Sequence, residues 1–162
     1  MQLDDFHALD DEQARQAVDP CLGVPRWVDE VVGARPYVDV AALIAQARAS
    51  AENLTDDELA LALQRHPRIG ERAEGAGVEG AYSTAEQAGV DAAAADRLHE
   101  ANIRYESAFD RVFLIAAAGR DADEILGELE RRIDNEPAVE RREVVANLRQ
   151  IALQRLEQVV TS

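Results

Sequence analysis

The 162 residues carry 17 basic against 32 acidic side chains, a formal charge of −15, which repels phosphate backbones and anionic lipid and argues against nucleic-acid or membrane partners. All the basic residues are Arg, so Schiff-base, pyridoxal-phosphate and P-loop lysine chemistry are excluded. Apolar residues make up 47% but aromatics only 4%, with 9 Gly and 5 Pro, so Ala- and Leu-rich helices are favoured over strands and turns. The expected fold is all-α, one domain over residues 1–162 built as a bundle of about seven to nine helices.

The lone Cys21 allows no internal disulfide and fits a reducing compartment. The N-terminus has no basic stretch leading into an apolar one, and the longest clean apolar run, Val112 to Ala118, is too short to span a bilayer. Cytoplasmic localisation is the expectation.

In chain order, the sequence predicts a short helix from Asp10 to Val18 ended by Pro20, with the residues before it, including His7, frayed. A second helix follows from Pro25 to Val32, with Pro25 suited to a first turn. Arg35-Pro36 imposes extension, and Val40, Leu43, Ile44, Ala47 and Ala51 recur at helical spacing within Tyr37–Asn53. Thr55-Asp56-Asp57-Glu58 reads as a capping box for a helix that must stop near Arg65 or His66, because Pro67 disfavours helical backbone in the residue before it. Residues 66–82, with four glycines, form the longest irregular stretch, and loops of that length in compact domains are often functional. Ser83-Thr84-Ala85-Glu86 is a second capping-box pattern, opening a short helix that Gly89 ends. Helices are then predicted from about Asp91 to Phe109, from Asp121 to Ile133 and from Pro137 to Val159. Val112–Gly119 between them is apolar throughout, either buried helix or a short extended run whose backbone groups are available to a ligand.

His66 is the sharpest candidate for chemistry. Its imidazole titrates nearest neutrality, Pro67 fixes the backbone beside it, and the glycine-rich stretch leaves room for a ligand. Glu86 and Gln87 come next: Ser83-x-x-Glu86 is explained as a helix cap, while the same helix start can aim N–H donors and Gln87 at an anionic or carbonyl group. His7 and His99 rank lower, and no recognisable ligand pair accompanies His99, so no metal site is expected. Arg68, Arg72, Arg111 and Arg120 are candidate carboxylate clamps or ordinary surface ion pairs.

Four stretches together resemble the OHCU decarboxylases, the 2-oxo-4-hydroxy-4-carboxy-5-ureidoimidazoline decarboxylases of urate degradation. They are Arg26-Trp27 with Arg35-Pro36; His66-Pro67-Arg68-Ile69-Gly70; Ser83-Thr84-Ala85-Glu86-Gln87; and Asn102 to Tyr105 leading to Phe113-Leu114-Ile115 and Gly119-Arg120. The resemblance implies an all-α homodimer that acts on a small molecule without a cofactor and yields (S)-allantoin. It implies His66 as acid–base residue and Glu86 as its carboxylate partner. Pro67, Ser83, Thr84, Ala85 and Gln87 would line the substrate pocket, together with the backbone of Phe113, Leu114, Ile115, Ala116 and Ala117. Family members commonly carry a Phe-Gly pair followed by an aromatic or His where this chain has Phe109-Asp110-Arg111, which places an extra carboxylate near the expected pocket entrance. The early segment also differs: a small polar residue often precedes Arg-Trp, whereas this chain reads Cys21-Leu22-Gly23-Val24-Pro25. The alternatives are a decarboxylase-like interaction module without activity and a metal-dependent helical hydrolase.

Overall fold

A computed structural model describes residues 1–70, 82 and 92–162. Among them are eight α-helices: α1 (Leu3–Ala8), α2 (Asp11–Leu22), α3 (Pro25–Gly33), α4 (Val40–Ser50), α5 (Asp56–Leu63), α6 (Ala92–Phe109), α7 (Ala122–Arg132) and α8 (Pro137–Val159). The extended pairing among the described residues is one isolated bridge between Gln2 and Thr161. The all-α expectation holds. None of the described helices is long and apolar enough to cross a membrane.

The chain forms two compact units, 1–62 with 148–162, and 63–147. In the first, α3 packs on both α2 and α4. Trp27 is fully buried and its Nε1–H donates to the Ala47 carbonyl at 2.8 Å, which satisfies the indole where water cannot. Arg26, one residue earlier, holds Glu58 with two hydrogen bonds at 2.7 and 3.2 Å and also reaches Glu30 and the Ser50 carbonyl. Its guanidinium lowers the Glu58 carboxyl below the usual carboxylate range. Arg35 donates to the carbonyls of Phe6, Leu9 and Val32 at 2.9–3.0 Å, gathering the C-terminal ends of α1 and α3.

Three helix starts were legible from local chemistry. Asp10 accepts from Gln13 N–H at 2.8 Å, Thr55 and Glu58 exchange bonds at 2.8 and 3.2 Å, and Asp121 and Glu124 do the same at 2.9 Å. The ends differ more. The helix predicted to stop before Pro20 runs through it to Leu22 and ends at Gly23, whose φ of 72° closes the helix with an N–H bond to Asp19 O. Pro20 lies in the last turn, and continuing the helix buries Cys21 and Leu22. The stretch predicted as frayed is α1: Phe6 is fully buried and His7 Nε2 accepts the Tyr37 N–H at 3.1 Å. The helix predicted over Tyr37–Asn53 is shorter, because Asp39 caps it by accepting from Ala42 N–H at 2.7 Å.

In the second unit, α6 packs against α7. Ile69, Leu98, Ala101, Tyr105, Phe113, Ile115, Ala117, Ile125 and Leu129 form one buried cluster. The predicted short helix after Ser83 lies outside the described residues.

Candidate active site

Helix α5 stops at Leu63, and the His66 N–H then closes a turn on the Leu63 carbonyl at 3.1 Å. His66 and Pro67 are half-buried. Two contacts from α6 hold the turn that follows. The Asn102 amide donates to the Ile69 carbonyl at 3.0 Å, and Arg68 pairs with Glu106. Ile69 is buried in the cluster that also takes Phe113, Ile115 and Ala117. One hydrophobic core therefore ties the chain just after His66 to the apolar segment 113–117.

That segment is not helical, and Phe113 to Ala117 are all buried. Its hydrogen bonds come mostly from side chains. Arg132 Nη1 donates to Leu114 O at 2.7 Å, and Asn147 Oδ1 accepts from Ala116 N–H at 2.9 Å. Arg120 donates through Nε to Ala116 O and through its backbone N–H to Ala117 O, so it closes the end of the segment and is not an open clamp. Among the described residues, the N–H groups of Phe113, Leu114, Ile115 and Ala117 have no hydrogen-bond partner. Buried N–H groups left unpaired are rare, and they are suited to a ligand's oxygen.

Behind the segment, Arg132 and Glu140 are buried and joined, with Arg132 Cζ 4.7 Å from the Phe113 ring centroid. Tyr105 donates its hydroxyl to Glu140, and Asn135 adds a bond at 2.9 Å. Burial first, then the bond to Glu140, pushes the Tyr105 hydroxyl well above its usual range, so it stays a donor. One turn along α8, Arg131 and Asn135 hold the Glu143 carboxyl down at about 2. A depressed carboxyl contributes stability above its ordinary value of 4.5 and loses it as pH falls towards 2. Glu143→Gln is therefore expected to flatten the stability profile across that acid window, read by urea unfolding at several pH values.

Asp110 resolves the departure at Phe109-Asp110-Arg111. It is exposed, its N–H bonds to Glu106 O at 2.8 Å to end α6, and its φ is 52°. A left-handed helix end favours Gly, and Asp is among the residues that tolerate it at a cost. Asp110→Gly is expected to stabilise the protein by about 1 kcal/mol, a rise of about 2–4 °C in Tm on thermal unfolding. The extra carboxylate has a position dictated by backbone geometry.

Of the other predicted residues, Ser83, Thr84, Ala85, Glu86, Gln87 and Arg72 lie outside the described residues. His99 is exposed beside a cleft of about 190 Å³ shared with Ile69, Gly70, Asp96 and Asn102. Arg111 has a buried Nη1 without a partner among the described residues. Sequence reasoning missed Arg132, Glu140 and Asn147. The one available signal was Asn147, a polar residue between the apolar pairs Val144-Val145 and Leu148-Ile151.

A family model described as OHCU decarboxylase matches residues 7–157. The chain belongs to the OHCU decarboxylase family. That membership makes it a carboxy-lyase of the urate-degrading class. Among solved structures, it is similar to an OHCU decarboxylase crystallised in the presence of (S)-allantoin, with TM-score 0.73 and 24% identity, covering 93% of this chain and 98% of that one. It is also similar to an (S)-allantoin synthase, with TM-score 0.70 and 14% identity, covering 99% of this chain but 54% of the other. At these identities the two structures support the helical fold. A search of curated proteins gave no match.

Proposed function

We propose that this OHCU decarboxylase family member converts 2-oxo-4-hydroxy-4-carboxy-5-ureidoimidazoline to (S)-allantoin without a cofactor, as a homodimer, with His66 as acid–base residue and Glu86 as its carboxylate partner. The observation that carries the reading is the shared core. A half-buried histidine at a helix end is tied through Ile69 to a buried segment whose N–H groups, Ala116 apart, have no partner among the described residues.

The chemistry suits a chain without lysine. The substrate's carboxylate lies one carbon from a ring C=N bond. As the C–C bond breaks and CO₂ departs, its electron pair moves into that bond, with the charge arriving on nitrogen. A proton then returns to carbon. The protein has to hold the carboxylate, manage protons and choose a face. Backbone N–H groups aimed at developing negative charge contribute most when water is excluded. His66 supplies and removes protons near neutrality. Pro67, Ser83, Thr84, Ala85 and Gln87 complete the pocket in this reading.

The test is the enantiomeric excess of allantoin formed from freshly generated substrate, with loss of the substrate's ultraviolet signal followed against spontaneous decay. A clear excess of (S)-allantoin and acceleration over background are expected. Racemic product at the background rate would favour an inactive interaction module. Glu86→Gln then separates catalysis from helix capping: a fall in rate at unchanged Tm marks the carboxylate as a catalytic partner, and a fall in Tm at unchanged kcat marks it as a cap.

A further inference from the structure

We infer that Arg132 and Asn147 are positioning residues that hold segment 113–117 in place so that its open backbone N–H groups face the substrate; this rests on the function proposed above. Leu114 and Ala116 are both engaged by side chains: the carbonyl of the first by Arg132 at 2.7 Å, the N–H of the second by Asn147 at 2.9 Å. The N–H groups of Phe113, Leu114, Ile115 and Ala117 are without partners among the described residues. Two side chains therefore fix a non-helical run of backbone that keeps several N–H donors available.

Both side chains are themselves oriented. The Asn147 amide donates through Nδ2 to Glu143 O at 2.9 Å, which fixes its oxygen towards Ala116. A flipped amide would set N–H against N–H. Arg132 is fully buried, held by Glu140 and set over Phe113. The open N–H donors of the segment thus sit on a backbone that has little freedom to retreat from a developing charge, the condition under which fixed dipoles aid a reaction.

The test compares Asn147→Ala, Asn147→Asp and Trp27→Phe by steady-state kinetics, allantoin enantiomeric excess and Tm. Asn147→Ala is expected to lower kcat/KM tenfold or more and to reduce the excess, because the Ala116 N–H loses its anchor. Asn147→Asp keeps an acceptor for the Ala116 N–H but sets its second oxygen against the Glu143 carbonyl, and is expected to recover part of that loss. Trp27→Phe removes a buried bond in the other compact unit and is expected to lower Tm with kinetics unchanged. Asn147→Ser, which removes less volume, is read by the same criteria if Asn147→Ala does not fold. An active wild type with Asn147 variants within twofold of it overturns the inference alone. A wild type that gives racemic allantoin at the background rate overturns the functional reading, and the inference with it.

Discussion

His66→Ala is expected to lower the enzymatic rate by about 10²–10⁴-fold, the range that a positioned proton donor or acceptor contributes. The enantiomeric excess of allantoin should fall with it, because the substrate decays unaided and uncatalysed protonation has no preferred face. The fold should survive. His66 is half-buried in a turn whose hold on the core comes from Ile69 and from Asn102 and Glu106 on α6, none of which is removed. Circular dichroism and Tm close to wild type would therefore accompany the loss. Full rate and full handedness in the Ala variant would sink the assignment. An intermediate case is also informative: residual acceleration with racemic product would separate the step that releases CO₂ from the step that returns the proton, leaving His66 with the second.

His66 was legible because its context is local. Pro67 stops the preceding helix, and the turn at Leu63–His66 is where that rule puts it. Helix starts were legible for the same reason, since Asp10, Thr55 and Asp121 each close their caps within three residues. What escaped depends on partners far along the chain. A six-residue helix such as α1 carries too few turns to show periodicity, and it is held by Arg35 from 29 residues away. Arg132, Glu140 and Asn147 sit on helices that otherwise carry many charges, so they read as solvent-facing until the fold shows two of them buried. Arg26, Trp27 and Arg35 helped to carry the family resemblance, yet their bonds in the structure are to Glu58, Ala47 and helix-end carbonyls. Residues that mark a family are here partly those that fasten its helices.

Glu140→Gln is expected to cost about 3–5 kcal/mol, lowering Tm by about 10 °C or more, with the urea midpoint falling in parallel. The carboxylate is 1% exposed and receives Arg132, Tyr105 and Asn135. Glu140 stands in the first turn of α8 and Arg132 in the last turn of α7, where each charge suits the helix end it occupies. Removing the negative member leaves a guanidinium with 0% exposure and no counter-charge of equal reach, since its remaining carboxylate, on Glu143, is at 3.8 Å. The expected cost comes from that stranded charge. If so, deleting both charges should be milder than deleting one: Arg132→Met with Glu140→Leu should be more stable than Glu140→Gln alone, because two apolar side chains of similar volume have no desolvation to offset. Tyr105→Phe should cost less than either, about 1.5–3 kcal/mol for one bond to a charged acceptor. A double variant less stable than the single one would mean that the pair holds the fold by its geometry around Leu114 O. The same double variant bears on catalysis. It removes the donor to Leu114 O while sparing Asn147, so a well-folded Met/Leu protein with impaired stereocontrol would show that the buried ion pair is kept for the placement of segment 113–117.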